Sequence, residues 1–314
     1  MIAGVESAGR FAPGHYTPDN LPAEVSAMAG GLRCGLDVGA AGKVGLLELS
    51  LARSGPATRV VAQYQRAPLY LYRPIYVDPA RPDMPFVYVQ QSGDGLVQGD
   101  RYRIDITCAS GAAAHITTQA PTKVFAARSD LVTQMVNLHA GAGAFLEYLP
   151  DPMIPCRGSR LFQRLRITAE STATIIFGET LMPGRVAHGE SHVYDTYWAE
   201  TAVLRPDETL LFTDRLRLRP LLEGVGSLGG YDVIASLYLV TAVVDPAALV
   251  SELRARDVER PDVMVGFTEL PNGCGVAVRV LARTSATARH AMRELWNAAR
   301  LTLMGLPAPD LRKG

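Results

Sequence analysis

Residues 98–108 read QGDRYRIDITC. After the Gly99-Asp100 turn the side chains alternate, with Tyr102, Ile104, Ile106 and Cys108 in one set and Arg101, Arg103, Asp105 and Thr107 in the other. A period of two puts the two sets on opposite faces of a strand. This predicts a half-buried antiparallel strand, one face in a core and one in water. The pattern recurs on both sides. Leu47, Leu49 and Leu51 alternate before it, and Leu216 and Leu218 oppose Arg215, Arg217 and Arg219 after it. Further strands are expected over 59–65, 69–77, 86–90, 161–169 and 174–177, with Pro68 and Pro74 marking edges or bends. Tyr70, Tyr72 and Tyr76 share a face of the 69–77 run, which suits a core position better than a partner surface. Up to about residue 222 the spacing of strand and turn signals predicts an all-β architecture.

The C-terminal third differs. Tyr231 to Val244 reads as a long apolar strand. Asp245-Pro246 supplies a cap and an N1 proline for a short helix over 247–256. Runs 263–270 and 276–283 form a hairpin around Asn272-Gly273. Ala288, Met292, Leu295, Trp296, Ala299 and Leu303 recur at helical spacing in a final helix over 285–304, which Gly305 and Pro307 stop. The fold class expected is mainly β, with two helices in the C-terminal third. Residues 1–30, rich in Gly, Ala, Pro and Ser, read as a flexible extension. No linker divides 31–310, which is expected to be a single unit.

The chain has 314 residues, 48% of them apolar, with 31 basic and 31 acidic side chains. A neutral balance argues against a nucleic-acid partner, which needs a basic face, and against attraction to acidic membranes. No run approaches the length of a membrane span, and the N-terminus lacks a signal-peptide pattern. Cys34, Cys108, Cys156 and Cys274 are scattered without a CxxC pair. A soluble cytoplasmic chain with reduced thiols is the expectation.

Chemistry-bearing motifs are sparse. Gly39 to Gly45 resembles a phosphate loop around Gly42-Lys43, but Val44 stands where Ser or Thr is needed and Asp37 replaces the first glycine. His188 and His192 are the closest histidine pair. On a strand they would lie roughly 13 Å apart, too far to share a metal without a bulge. A metal-dependent enzyme built on that pair is an alternative reading, as is a β scaffold with no ion path. Cys108, on the apolar face of its strand, reads as a buried inert thiol. More telling are carboxylates among apolar or glycine-rich neighbours: Asp100, Glu147, Glu179 and Glu190. Glu147 interrupts the apolar run Phe145 to Pro150, where an ionised group needs a partner. Carboxylates along a wet path suit a hydrated divalent cation.

Several stretches, in order, resemble the UreD (UreH) urease accessory proteins over roughly 43–310. They are Leu46-Leu47-Glu48-Leu49, Ala67-Pro68-Leu69, Pro74-Ile75-Tyr76, Gly95 to Asp100, Thr117-Thr118 through Lys123, and Leu146-Glu147-Tyr148-Leu149-Pro150. Gly184 to Glu190 and Leu295-Trp296 through Arg300 and Gly305 complete the set. The chain departs from the family pattern at Gln98, Ala126-Ala127, Tyr148 and Pro152. The resemblance implies a layered, helix-like stack of antiparallel and mixed β-sheets. It also implies a non-enzymatic nickel chaperone that scaffolds UreF and the GTPase UreG on apo-urease, with a 2:2 assembly with UreF among the arrangements. No cofactor would be held permanently; nickel would be in transit. Carried over residue by residue, Asp100, Thr122, Glu147, Glu179 and Glu190 would line the nickel path. Trp296, Arg300 and Leu303 of the last helix would contact UreF.

Overall fold

The computed structural model describes residues 9–29, 42–220, 228–256, 260–311 and 313. Cys34 and residues 39–41 of the Gly39 to Gly45 stretch lie outside them. The chain enters through two 3-10 turns, Gly9–Phe11 and Pro13–Tyr16, and a one-turn helix α1 (Ala23–Ser26). Strands β1 (Val44–Ser54), β2 (Ala57–Arg66), β3 (Leu69–Leu71), β4 (Phe86–Gln91) and β5 (Arg101–Cys108) follow. Then come β6 (Ala113–Thr118), β7 (Thr122–Val124), β8 (Val132–Ala140), β9 (Phe145–Tyr148), β10 (Met153–Pro155), β11 (Arg160–Ala169) and β12 (Thr174–Leu181). The remainder is β13 (Thr196–Leu204), β14 (Leu210–Leu218), β15 (Val233–Val240), α2 (Pro246–Arg254), β16 (Val263–Glu269), β17 (Gly275–Ala282) and α3 (Ser285–Met304).

From β5 to β13 the chain winds. It runs through a strand of the first sheet, turns into the second, passes a short third side at β7 or β10, and returns beside its starting strand. Arg101 therefore lies beside Thr133, and Val132 beside Leu161. The first sheet has the order β14-β13-β11-β8-β5-β1-β2, and the path of the second is β16-β17-β15-β12-β9-β6-β4-β3. Both are parallel at the centre and antiparallel at the ends, a solenoid-like stack of mixed sheets.

This corrects the antiparallel expectation for 101–108, since β5 pairs in parallel with both β1 and β8. Alternation reports which face of a strand is wet and says nothing about the direction of its neighbours. Tyr102, Ile104, Ile106 and Cys108 do point into the core between the sheets. Arg101 departs from the outward set: it is buried, and its guanidinium donates to the Leu131 carbonyl at 3.0 Å and pairs with Asp130 at 3.1 Å.

The run 69–77 is a strand only at Leu69–Leu71, with Ile75 adding an isolated bridge to Phe86. Pro74 has no N–H to continue a ladder. The core expectation for the tyrosines is corrected too, because Tyr72 is 70% exposed and Tyr76 is 40% exposed. Residues 9–29, within the stretch expected to be a flexible extension, lie across the outer face of the first sheet. Tyr16 packs with Val44 and Leu46, and Val25 with Leu131 and Phe162. Arg103 donates to the His15 carbonyl at 2.9 Å and Arg164 to that of Asp19 at 2.6 Å.

The helices cover the outer face of the second sheet. Leu295 of α3 and Leu249 and Leu253 of α2 are buried against Leu237, Leu239, Val278 and Val280. The start of α2 follows its sequence signal, with Asp245 accepting from the Ala247 and Ala248 amides; at the start of α3, Thr284 forms a capping box with Thr287. Gly305 closes α3 at φ 70°. The 272–273 hairpin also forms, with Asn272 and Gly273 both at positive φ. No helix among the described residues is long and apolar enough to cross a membrane.

Candidate functional site

Parallel pairing of β6 with β9 sets His115 directly beside Glu147. Both face α3, where Trp296 and Arg300, four residues apart, share one helix face. The four side chains meet in a dry interior. Glu147 Oε2 receives His115 Nδ1 at 2.7 Å, and Oε1 receives Trp296 Nε1 at 2.9 Å. Arg300 reaches the same carboxylate at 3.2 Å and pairs on its other side with Asp78. Its Nε donates to the Pro307 carbonyl at 3.2 Å. Phe86 stacks on His115 with ring centroids 4.7 Å apart. Glu147 and Arg300 have no exposed surface.

Burial by itself would raise the pKa of Glu147. The hydrogen bond from His115, the charge of Arg300 and the hydrogen bond from Trp296 more than offset this, and the carboxyl is held below its ordinary range. For His115, burial lowers the pKa by more than Glu147 raises it. The pair is therefore a neutral imidazole donating to a carboxylate whose countercharge is Arg300. His115 Nε2 has no hydrogen-bond partner among the described residues.

This chemistry has a consequence for stability. Burial also lowers the pKa of His15 and His192, so three histidines resist protonation in the folded chain. The unfolded chain takes up those protons near pH 6.5, the ordinary histidine value. Below that pH the unfolded state binds more protons, and stability falls as pH falls. Glu147 adds a second loss below its ordinary 4.5, partly opposed by Asp100 and Glu179, whose pKa values burial raises. Urea midpoints are expected to drop between about pH 7.5 and about pH 5.5. A midpoint that stays level or rises over that range would show that these histidines charge freely in the fold.

Beside the network lies a cavity of about 870 Å³ between α3 and the second sheet. Its walls include Asp151, Glu179, Trp296 and Lys313 and the loop Gln119–Pro121. The same loop borders a smaller cavity of about 90 Å³, which Thr122, Ile104 and Gln134 also line. Lys313 Nζ donates to Thr117 Oγ1 and the Thr118 carbonyl, both at 2.6 Å, and to Asp151 Oδ2 at 2.8 Å.

The five residues expected along an ion path do not converge on one centre. Thr122 and Glu179 border the two cavities. Asp100 accepts from the Lys43 and Val97 amides at 2.7 and 2.9 Å, which fixes its turn. Glu190 pairs with Arg185 at 2.6 Å; that hydrogen bond, against a smaller opposing effect of burial, brings its pKa down to about 2. Glu147 is held by the network. Trp296 and Arg300, expected on a partner surface, face inward, with 7% and 0% exposure; Leu303 is partly buried against the core beneath α3.

His188 and His192 do not form a metal centre. His188 is exposed in a 3-10 turn, while His192 has both ring nitrogens engaged, with Tyr194 Oη at 3.2 Å and the Asp232 carbonyl at 3.1 Å. Among the described residues, the one set of three such ligands within reach of each other is His15, Glu48 and Asp105. Its carboxylates are already held by Arg10, and by Arg103 and Asn137. Cys108 is buried, as expected, and its thiol is pushed up to about 12 by burial. Sequence reading missed Asp78 and His115. The lone carboxylate in an apolar run was the signal for Glu147, and the family resemblance marked its helix partners; nothing local marks Asp78.

These features describe a stacked-β protein whose buried charges lock a terminal helix over one sheet, with an oxygen-bearing cavity alongside. The family model of the UreD urease accessory proteins matches residues 43–313. "Urease accessory protein UreD 2" of Streptomyces griseus is 42% identical over 280 residues, covering 88% of this chain and 95% of the relative. "Urease accessory protein UreD" of Cenarchaeum symbiosum is 35% identical over 282 residues, 88% of this chain and 99% of the relative. That of Haloarcula marismortui is 34% identical over 279 residues, 88% and 92%. The chain belongs to the UreD urease accessory protein family.

Proposed function

We propose that this chain is a urease maturation protein that holds UreF and UreG on apo-urease and passes nickel toward the urease active site without itself making or breaking covalent bonds. Family membership supports the maturation role. The observation that carries the nickel route is the pair of cavities sharing the Gln119–Pro121 loop, with Thr122, Asp151 and Glu179 along their walls. Hard oxygen donors and water hold a divalent ion loosely enough to let it move on. Burial raises the pKa of Glu179, and Arg279 opposes it in part; an arriving dication would favour the ionised form. In this reading Asp100, Glu147 and Glu190 keep the walls in place, and Thr122 and Glu179 are the residues an ion meets.

Deleting the chain from cells that make urease is expected to leave urease subunits at normal levels but free of nickel, measured on purified urease. Nickel-loaded, active urease in the deletion strain would overturn the proposal. Glu179→Gln is expected to lower urease nickel content a few-fold while a UreF pull-down stays intact. Full nickel content in both Glu179→Gln and Thr122→Val chains would leave the scaffold role without the ion path.

A further inference from the structure

Charge on the wall of the large cavity is arranged around one point, with Asp151, Tyr88 and Lys313 among its lining residues. Thr117 Oγ1, the Thr118 carbonyl and Asp151 Oδ2 all aim at it, and the Lys313 ammonium fills it with contacts of 2.6, 2.6 and 2.8 Å. An ammonium has three donors and no acceptor, and here all three are used. Local geometry holds the oxygens in place. Thr117 and Thr118 end β6. The Thr117 hydroxyl donates to the Leu149 carbonyl, while the Asp151 amide and carboxylate both bond Thr118 Oγ1. The Tyr88 ring, with its centroid 5.3 Å from the ammonium, supplies a further face that favours positive charge. A half-buried carboxylate with a carbonyl and a hydroxyl turned to the same point favours a cation there.

The occupant is held by a segment without regular structure. Residues 306–311 are held to α3 by the Pro307 carbonyl on Arg300, the Ala308 amide on Asn297 Oδ1 and the Arg293–Asp310 pair, with Ala308 and Leu311 against the core. Such a segment can release more cheaply than a strand or helix. Of the oxygens it would uncover, that of Asp151 lies on the wall of the large cavity and that of Thr118 on the wall of the small one.

We propose that Thr117, Thr118 and Asp151 form a binding site for a hydrated divalent cation, and that Lys313 is a tethered competitor which closes it. An incoming cation displaces the ammonium and takes the same three oxygens, with water completing its shell. This rests on the reading of the cavity as a cation route, and it adds a specific stopping point with a control on entry.

The test is equilibrium dialysis of the purified full-length chain against Ni²⁺. Lys313→Met removes the competitor and keeps most of the stem. It is expected to bind one Ni²⁺ about ten-fold more tightly than the unaltered chain, the scale of one lost charge-assisted contact set. Adding Asp151→Asn should abolish the gain, and Lys313→Arg should bind as the unaltered chain does. No gain in Lys313→Met, or a gain that survives Asp151→Asn, overturns the proposal. A second measurement needs no variant. Amine acylation of the unaltered chain, mapped by mass spectrometry, should label Lys313 several-fold faster with Ni²⁺ present; an unchanged rate overturns it as well. Nickel content of urease matured with the Lys313→Met chain reports on the route separately. Ni²⁺ binding with unaltered urease loading would fail the route and leave the site standing.

Discussion

Replacing Arg300 with methionine is expected to destabilise the chain by about 3–5 kcal/mol, the range for breaking a buried ion pair from one side. Arg300 is the guanidinium shared by Glu147 and Asp78, and it has no exposed surface. Methionine fills comparable space but leaves two carboxylates in a dry interior. Neutralising them requires proton uptake, which is unfavourable at neutral pH. The reciprocal change should be much milder. Glu147→Gln keeps an acceptor for Trp296 and leaves Arg300 paired with Asp78 and bonded to Pro307, so a loss of about 1–2 kcal/mol is expected. Combining the two should recover part of the Arg300→Met loss, because one stranded charge is gone. Urea denaturation of the three variants measures these differences. An Arg300→Met loss no larger than that of Glu147→Gln would mean the cluster is not held by its cation.

Gly275→Ala is expected to cost more than about 3 kcal/mol, the class of change that clashes with backbone at a special conformation. Gly275 opens β17 at φ 147°, and an added Cβ would stand 1.8 Å from the Leu239 carbonyl oxygen. That oxygen belongs to β15, whose Val240 pairs with Gly275, so neither partner can yield without parting the strands under α3. Gly266→Ala on the neighbouring β16 is the control. Among the described residues nothing lies within 4 Å of its added Cβ, and a change within about 1 kcal/mol is expected. Thermal melts of the two chains side by side decide it: equal midpoints would mean the β15–β17 contact is slack.

Much of the architecture could be read in advance because the signals are local. The Asp245 cap of α2, the Gly305 stop of α3, the positive-φ hairpin at Asn272-Gly273 and the strand alternation at 102–108 each depend on backbone geometry within a few residues. The site was only partly legible. Glu147 stood out as a charge in an apolar run, while Trp296 and Arg300 were marked only through the family resemblance. Sequence spacing could not say which way that pair faced, so residues read as a partner surface are in fact the clamp that holds α3 down. Tyr72 shows the opposite error, with period two suggesting a core and Pro74 breaking the strand that would have buried it.

By itself the amino-acid order determined strands β2, β4, β5 and β11, the β16–β17 hairpin, both C-terminal helices and the need for a countercharge near Glu147, and it left β6 to β10 and β13 undelimited. Those follow from periodicity, caps and the cost of burying a charge. Only the folded stack decided that β5 lies between parallel neighbours and that Asp78, His115, Glu147 and Arg300 share one interior. It alone brought Lys313 to the oxygens of Thr117, Thr118 and Asp151. Each pass of the chain joins residues tens of positions apart, and no local pattern encodes which rung will lie beside which.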